Sequence, residues 1–115
     1  MKIYVSHKRG MVNQEQFYSI FDERFILPHK NSDESYKSKE LFQSHGCDLI
    51  LAEVSEPSTG QGIELGWANA YGIKIICISR EGSKPAKSLG VITEVHQIYK
   101  NLNELAQNLE RILLL

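Results

Sequence analysis

Residues 48–66, DLILAEVSEPSTGQGIELG, limit the possible folds more than any other part of the chain. Leu49, Ile50, Leu51, Ala52 and Val54 form a nearly unbroken apolar run. A strand covered on both faces reads this way, which is the position of a central strand in a parallel sheet. The run stops at Glu-Pro-Ser-Thr-Gly-Gln-Gly, where no regular element is expected. Ile63, Leu65, Trp67, Ala68 and Ala70 then resume at spacing that reads as a helix, up to a stop at Gly72. A Gly-rich turn leading into a helix N-terminus presents backbone N–H groups and partial positive charge to an anion. Glu64 is expected in the first turn of that helix, where the dipole favours its ionised form.

The rest of the chain repeats the alternation. Ile3 and Val5 mark a first strand, followed by the polar loop Ser6-His7-Lys8-Arg9-Gly10. Asn13 is placed to cap a helix through Phe17, Ile20 and Phe21. Phe25-Ile26-Leu27 is a short second strand stopped by Pro28-His29, and 31–35 is a polar linker. A short helix over 38–45 turns Leu41 and Phe42 inward and ends at Gly46. Further strands are expected over 74–79 and 95–99, with a helical turn over 88–92 between them. An amphipathic helix beginning at Asn101 closes the chain, with Leu102, Leu105, Leu109, Ile112 and Leu113 on one face. Strands alternating with helices predict an α/β fold: a Rossmann-like or flavodoxin-like three-layer sandwich around a five-stranded parallel sheet in order 2-1-3-4-5. Right-handed crossovers bring the loops after the strands to one edge, so residues 4–10 and 53–64 should face each other there.

Size and charge narrow the function. At 115 residues the chain is expected to be one domain, 1–115, with a core of ordinary apolar content. A net charge of −1 lacks the basic footprint of a nucleic-acid binder. No apolar run approaches membrane-spanning length. With a strand at the very start and no signal peptide expected, a cytoplasmic protein is the default. Cys47 and Cys77 read as small buried residues without metal spacing.

Taken residue by residue, the strand–turn–helix unit leaves alternatives open. Ser58 to Gly62, with Lys8 and Arg9 opposite, suits a phosphate as well as it suits a plain capped helix start. Neither GxxxxGK nor GxGxxG is present. Glu64 is a catalytic carboxylate or a helix-stabilising acid, and an anion beside it would favour the first. Glu53 binds ligand hydroxyls or ties down loop backbone. Tyr4 is a core tyrosine or a group that reaches the site. His7 and His29 fall on site-edge loops and could titrate near neutral pH. His45 and His96 lie at the periphery.

The motif Glu-Val-x-x-Pro-Ser-x-Gly-x-Gly-x-Glu-Leu-Gly, together with Tyr4 and Arg9-Gly10, resembles the nucleoside 2-deoxyribosyltransferase superfamily, and within it the 2'-deoxynucleoside 5'-monophosphate N-hydrolases. The similarity is clearest over 40–92. It implies a homodimer that cleaves an N-glycosidic bond without metal or cofactor. Glu64 matches the family's catalytic glutamate, Tyr4 the tyrosine that positions it, and Glu40 an Asp that assists departure of the base. Ser58, Gly60 and Gly62 match the phosphate-binding turn, Arg9 and Gly10 a second phosphate contact, and Ser88 a serine reaching the phosphate of the neighbouring subunit. Ser6 and His7 stand in a first loop that departs from the family's Cys-Gly-Ser form, and His29 stands before a shortened lid. Transferases of the superfamily carry Asp where this chain has Ser58. A neutral serine accepts a phosphate dianion that a carboxylate would repel, which favours a nucleoside 5'-monophosphate as substrate. The alternatives are a deoxyribosyltransferase and a nucleotide-binding module without turnover.

Overall fold

The computed structural model describes residues 1–30 and 37–115. The elements run β1 (Ile3–His7), α1 (Gln14–Tyr18), β2 (Phe25–Ile26), α2 (Ser38–Gln43), β3 (Leu49–Glu53), α3 (Thr59–Ala70), β4 (Lys74–Arg80), a 3-10 turn (Lys87–Val91), β5 (His96–Tyr99) and α4 (Leu102–Leu113). All five strands are parallel, in the order β2-β1-β3-β4-β5. This is the expected order. The polar segment 31–35 and most of the shortened lid lie outside the described residues.

Strand alternation divides the interior into two cores. Ile3, Val5, Leu49 and Leu51 pack with Phe17, Leu105, Leu109 and Ile112, on the side of α1 and α4. Tyr4, Ile50 and Ala52 pack with Phe42, Leu65 and Ala68, on the side of α2 and α3. Successive residues of a strand point to opposite faces, so the continuous apolar run of β3 serves both cores. The same parity sorts the polar residues. Tyr4 faces α3, whereas His7 and its register partner Glu53 fall on the α1 and α4 side.

The helices depart from expectation at their ends. α1 is only five residues long, and Ile20 and Phe21 reach the core from turns beyond it. Asn13 precedes it in the left-handed region, at φ 61°, and its side chain makes no cap bond. α2 ends with His45 left-handed, His45 N–H on Phe42 O at 3.0 Å and Gly46 N–H on Leu41 O at 2.8 Å. Gly46 packs closely here: a Cβ there would lie 2.4 Å from Leu41 Cδ1, and the leucine side chain would have to shift. Gly72 is the left-handed residue after α3, at φ 74°.

The beginning of α3 is the correction that matters for the site. The helix starts at Thr59, so Gly60, Gln61 and Gly62 are helical and Glu64 lies in the second turn. Ser58 is the cap residue, its Oγ accepting from Gln61 N–H at 3.3 Å. The Gln61 side chain is buried and donates to Glu53 O at 2.9 Å, which docks the helix start on the end of β3. Both bonds favour beginning the helix at Thr59 over an irregular turn.

Candidate active site

At the C-terminal edge of the sheet a cleft of about 270 Å³ opens between the ends of β1 and β2 and the first half of α3. Its α3 wall carries Ser58, Gly60, Gln61, Ile63, Glu64 and Trp67. Tyr4, His7 and Arg9 line it from β1 and the loop beyond, His29 from the loop after β2, and Ser38 from α2.

Glu64 is half-buried, and Tyr4 Oη donates to its Oε2 at 3.0 Å. Tyr4 is almost wholly buried, with its ring edge-on to Phe42 at 5.1 Å. Burial, and then the adjacent Glu64 charge, drive the phenol's pKa far up, so it stays a donor at all ordinary pH. A fixed donor holds one carboxylate oxygen and thereby sets the orientation of the other.

At the other end of this wall is the start of α3. Gln61 N–H is taken by Ser58 Oγ and Gly62 N–H by Ser58 O at 3.0 Å. The Thr59 and Gly60 N–H groups have no acceptor within the helix. Added Cβ atoms at Gly60 or Gly62 would meet nothing within 4 Å, so packing inside the chain does not call for glycine at either position. Arg9 brings the cleft a guanidinium. Lys8, expected beside it, is turned away: its Nζ lies 2.9 Å from Glu56 Oε2, and Arg80 pairs with the same carboxylate at 3.6 Å.

The β1–β2 wall is organised by a histidine pair and a tyrosine. His7 Nδ1 is 2.8 Å from Lys8 O, a carbonyl that can only accept, so this nitrogen carries the proton. His7 Nε2 then accepts from Tyr18 Oη at 2.6 Å. Tyr18 Oη in turn accepts the His29 backbone N–H at 3.2 Å. Burial lowers the His7 pKa and pushes the Tyr18 phenol up to about 12, which maintains both as neutral partners. The rings of His7 and His29 meet edge-on at 5.3 Å, and His29 Nδ1 is buried without a hydrogen-bond partner among the described residues.

Tyr4, His7, Arg9, His29, Ser58, Gly60 and Glu64 therefore line one cleft. Other expected residues do not line this cleft. Glu40 is exposed on α2, and residues two apart on a helix do not share a face; Ser38 lines the cleft instead. Ser6 is fully buried on β1, its Oγ without a partner among the described residues. Gly10 follows Arg9 in the left-handed region, at φ 73°. Gly62 and Ser88 line a separate cleft of about 310 Å³ on the other flank of α3's start, where Ser58 and Gln61 are shared between the two. Glu53 takes the structural option: its carboxylate accepts from Ser55 N–H at 2.7 Å, from Ser55 Oγ at 3.0 Å and from Tyr99 Oη. Among the residues not foreseen, Trp67 and Gln61 are each three positions from Glu64 on the helix, a signal that was readable. Ser38 and Tyr18 carry no such signal. Among the described residues no cluster of three or more His, Cys, Asp or Glu could hold a metal ion, and no helix is long and apolar enough to cross a membrane.

No family model matches the chain. Over 51 residues it is 39% identical to a 5-hydroxymethyl-dUMP N-hydrolase of Mus musculus, a match covering 44% of this chain and 30% of that protein. The matched region is thus less than a third of the curated relative's length. In structure the chain is similar to a Clostridium botulinum CMP N-glycosidase, BcmB, with a TM-score of 0.65 and 23% identity over 96% of this chain and 99% of that one. That likeness shows the shared fold. The expectation drawn from the motif agrees with both comparisons: the matched stretch is similar in sequence to a nucleotide N-hydrolase, and the whole chain is similar in fold to a nucleotide N-glycosidase.

Proposed function

We propose that this chain hydrolyses the N-glycosidic bond of a nucleoside 5'-monophosphate, releasing free base and a sugar 5-phosphate. The observation that carries this reading is the Glu64 carboxylate, held by Tyr4 in a cleft whose other end offers an anion the α3 amides and Arg9. Ser58, Gly60 and Arg9 would hold the phosphate, leaving C1' beside Glu64. As the C1'–N bond breaks, its electron pair leaves with the base and positive charge grows on the sugar. Glu64 stabilises that charge or bonds to C1', and water then takes its place, freeing the carboxylate. The net proton from water ends on the base. His29 and Ser38 stand on the opposing walls, within the same cleft, as groups able to contact the base.

The neutral Ser58 favours a monophosphate over a nucleoside and hence hydrolysis over transfer to a second base. A homodimer in a cytoplasmic setting fits the family resemblance. Ser88 of one subunit would then serve its neighbour, which accords with its position outside the Glu64 cleft of its own chain.

The test is chromatographic. Each ribo- and deoxyribonucleoside monophosphate is incubated with the protein, alongside a nucleoside with an acceptor base, and free base is measured. Release from a monophosphate, lost in a folded Glu64→Ala variant, is expected. Release undiminished in that variant would remove Glu64 from the mechanism. Product only with an acceptor base would make the protein a transferase, and saturable binding with no release would make it a binding module.

A further inference from the structure

We propose that the indole of Trp67 is the surface on which the base of the substrate stacks, and so sets how strongly the site distinguishes a nucleotide from a bare sugar phosphate. This rests on the nucleotide-hydrolysing reading of the cleft and assigns its far end.

Helix α3 advances about 1.5 Å per residue, so Glu64 lies roughly 6 Å along the axis from Gly60, and Trp67 roughly 4.5 Å beyond Glu64. A nucleotide has the same linear order: phosphate, C1', base. With phosphate at the capped start of the helix and C1' at Glu64, the base extends toward Trp67. Residues three apart share a helix face, so the indole and the carboxylate line one wall, and both border the cleft. The indole is half-buried, and Ile63, 52% exposed, adds apolar surface beside it. Lys39 Nζ stands 5.7 Å from the ring centroid, a cation–π contact that steadies the ring from α2. A planar base needs a flat, low-entropy partner, and every base has a π-face to offer it.

Trp67 is the chain's single tryptophan, so its emission reports this surface alone. The experiment uses the Glu64→Ala protein, which holds nucleotide without consuming it. It is titrated with CMP, AMP and their deoxy analogues, and with ribose 5-phosphate as the probe without a base. Calorimetry gives affinity and tryptophan emission gives contact. Nucleotides are expected to change the emission and ribose 5-phosphate to bind without changing it. Adding Trp67→Ala should weaken nucleotide binding about 5- to 150-fold, the range for loss of one stacked base, and leave ribose 5-phosphate unaffected. Trp67→Phe, which keeps a ring, should retain most of the affinity. The proposal is overturned if saturating nucleotide leaves the emission unchanged, or if Trp67→Ala weakens both ligands equally. Should wild-type protein neither bind a nucleotide nor release a base from one, the nucleotide reading fails and the proposal falls with it. Nucleotide binding with a silent indole overturns the proposal alone.

Discussion

Replacing Tyr4 by Phe removes one oxygen atom and tests how the carboxylate is held. The ring stays, so the edge-on contact with Phe42 and the packing against Ile50 and Ala52 are preserved. What goes is the donor 3.0 Å from Glu64 Oε2. A hydrogen bond to a charged group contributes about 1.5–3 kcal/mol, or roughly 10- to 150-fold in rate if it is fully expressed in the transition state. Glu64 is half-buried, so water can take part of the lost donor's place, and a fall in kcat of about 10- to 50-fold is expected. KM should change little, because Tyr4 acts on the carboxylate and not on the phosphate. Stability should fall by about 1–3 kcal/mol, because Glu64 and the buried Ser38 both lose a partner at this hydroxyl. The assay is steady-state base release from the preferred monophosphate, with a thermal melt to confirm folding. A kcat within twofold of wild type would refute the view that this contact prepares the carboxylate. A raised KM at unchanged kcat would move Tyr4 from positioning to binding.

Two further outcomes follow from the buried polar groups. Glu53→Ala strips acceptors from Ser55 N–H, Ser55 Oγ and Tyr99 Oη at once, and should cost about 2–4 kcal/mol, visible as a melting temperature lower by about 10 °C or more. An unchanged melt would show that this network contributes nothing net. His7 has a native pKa below its ordinary 6.5 because it is buried, so the unfolded chain takes up the proton first as pH falls. Its contribution to stability is therefore present above about pH 6.5 and is lost on acidification toward its lowered native pKa. Thermal melts between pH 7.5 and 5 should fall less steeply for His7→Gln, whose amide keeps a donor and an acceptor but does not titrate; identical slopes would contradict this.

Much of the molecule was legible because its signals are local. Continuous apolar runs at 49–54 and 74–79 report strands covered on both faces, and three helix–strand alternations leave few ways to order the sheet. Ser58 and Glu64 could be singled out because a cap and a carboxylate on one helix are fixed relative to each other by the helix itself. Gly60 and Gly62 suggest a turn by composition, but Ser58 and Gln61 supply the bonds that start the helix at Thr59.

The remaining contacts lie between elements. Tyr4 meets Glu64 because its place on β1 turns it toward α3, while His7, three residues on, is turned the other way to Tyr18 and His29. Ser38 lines the cleft and Glu40 does not because α2 packs with Phe42 against the sheet, which sets the rotation of the whole helix. The strands and the helix that carries the carboxylate follow from residues adjacent in the chain, and the crossover rules then narrow the order of the sheet. Which side chains meet across the cleft depends on strand parity and helix rotation, and these are settled only when distant segments pack and each buried face must find its partner.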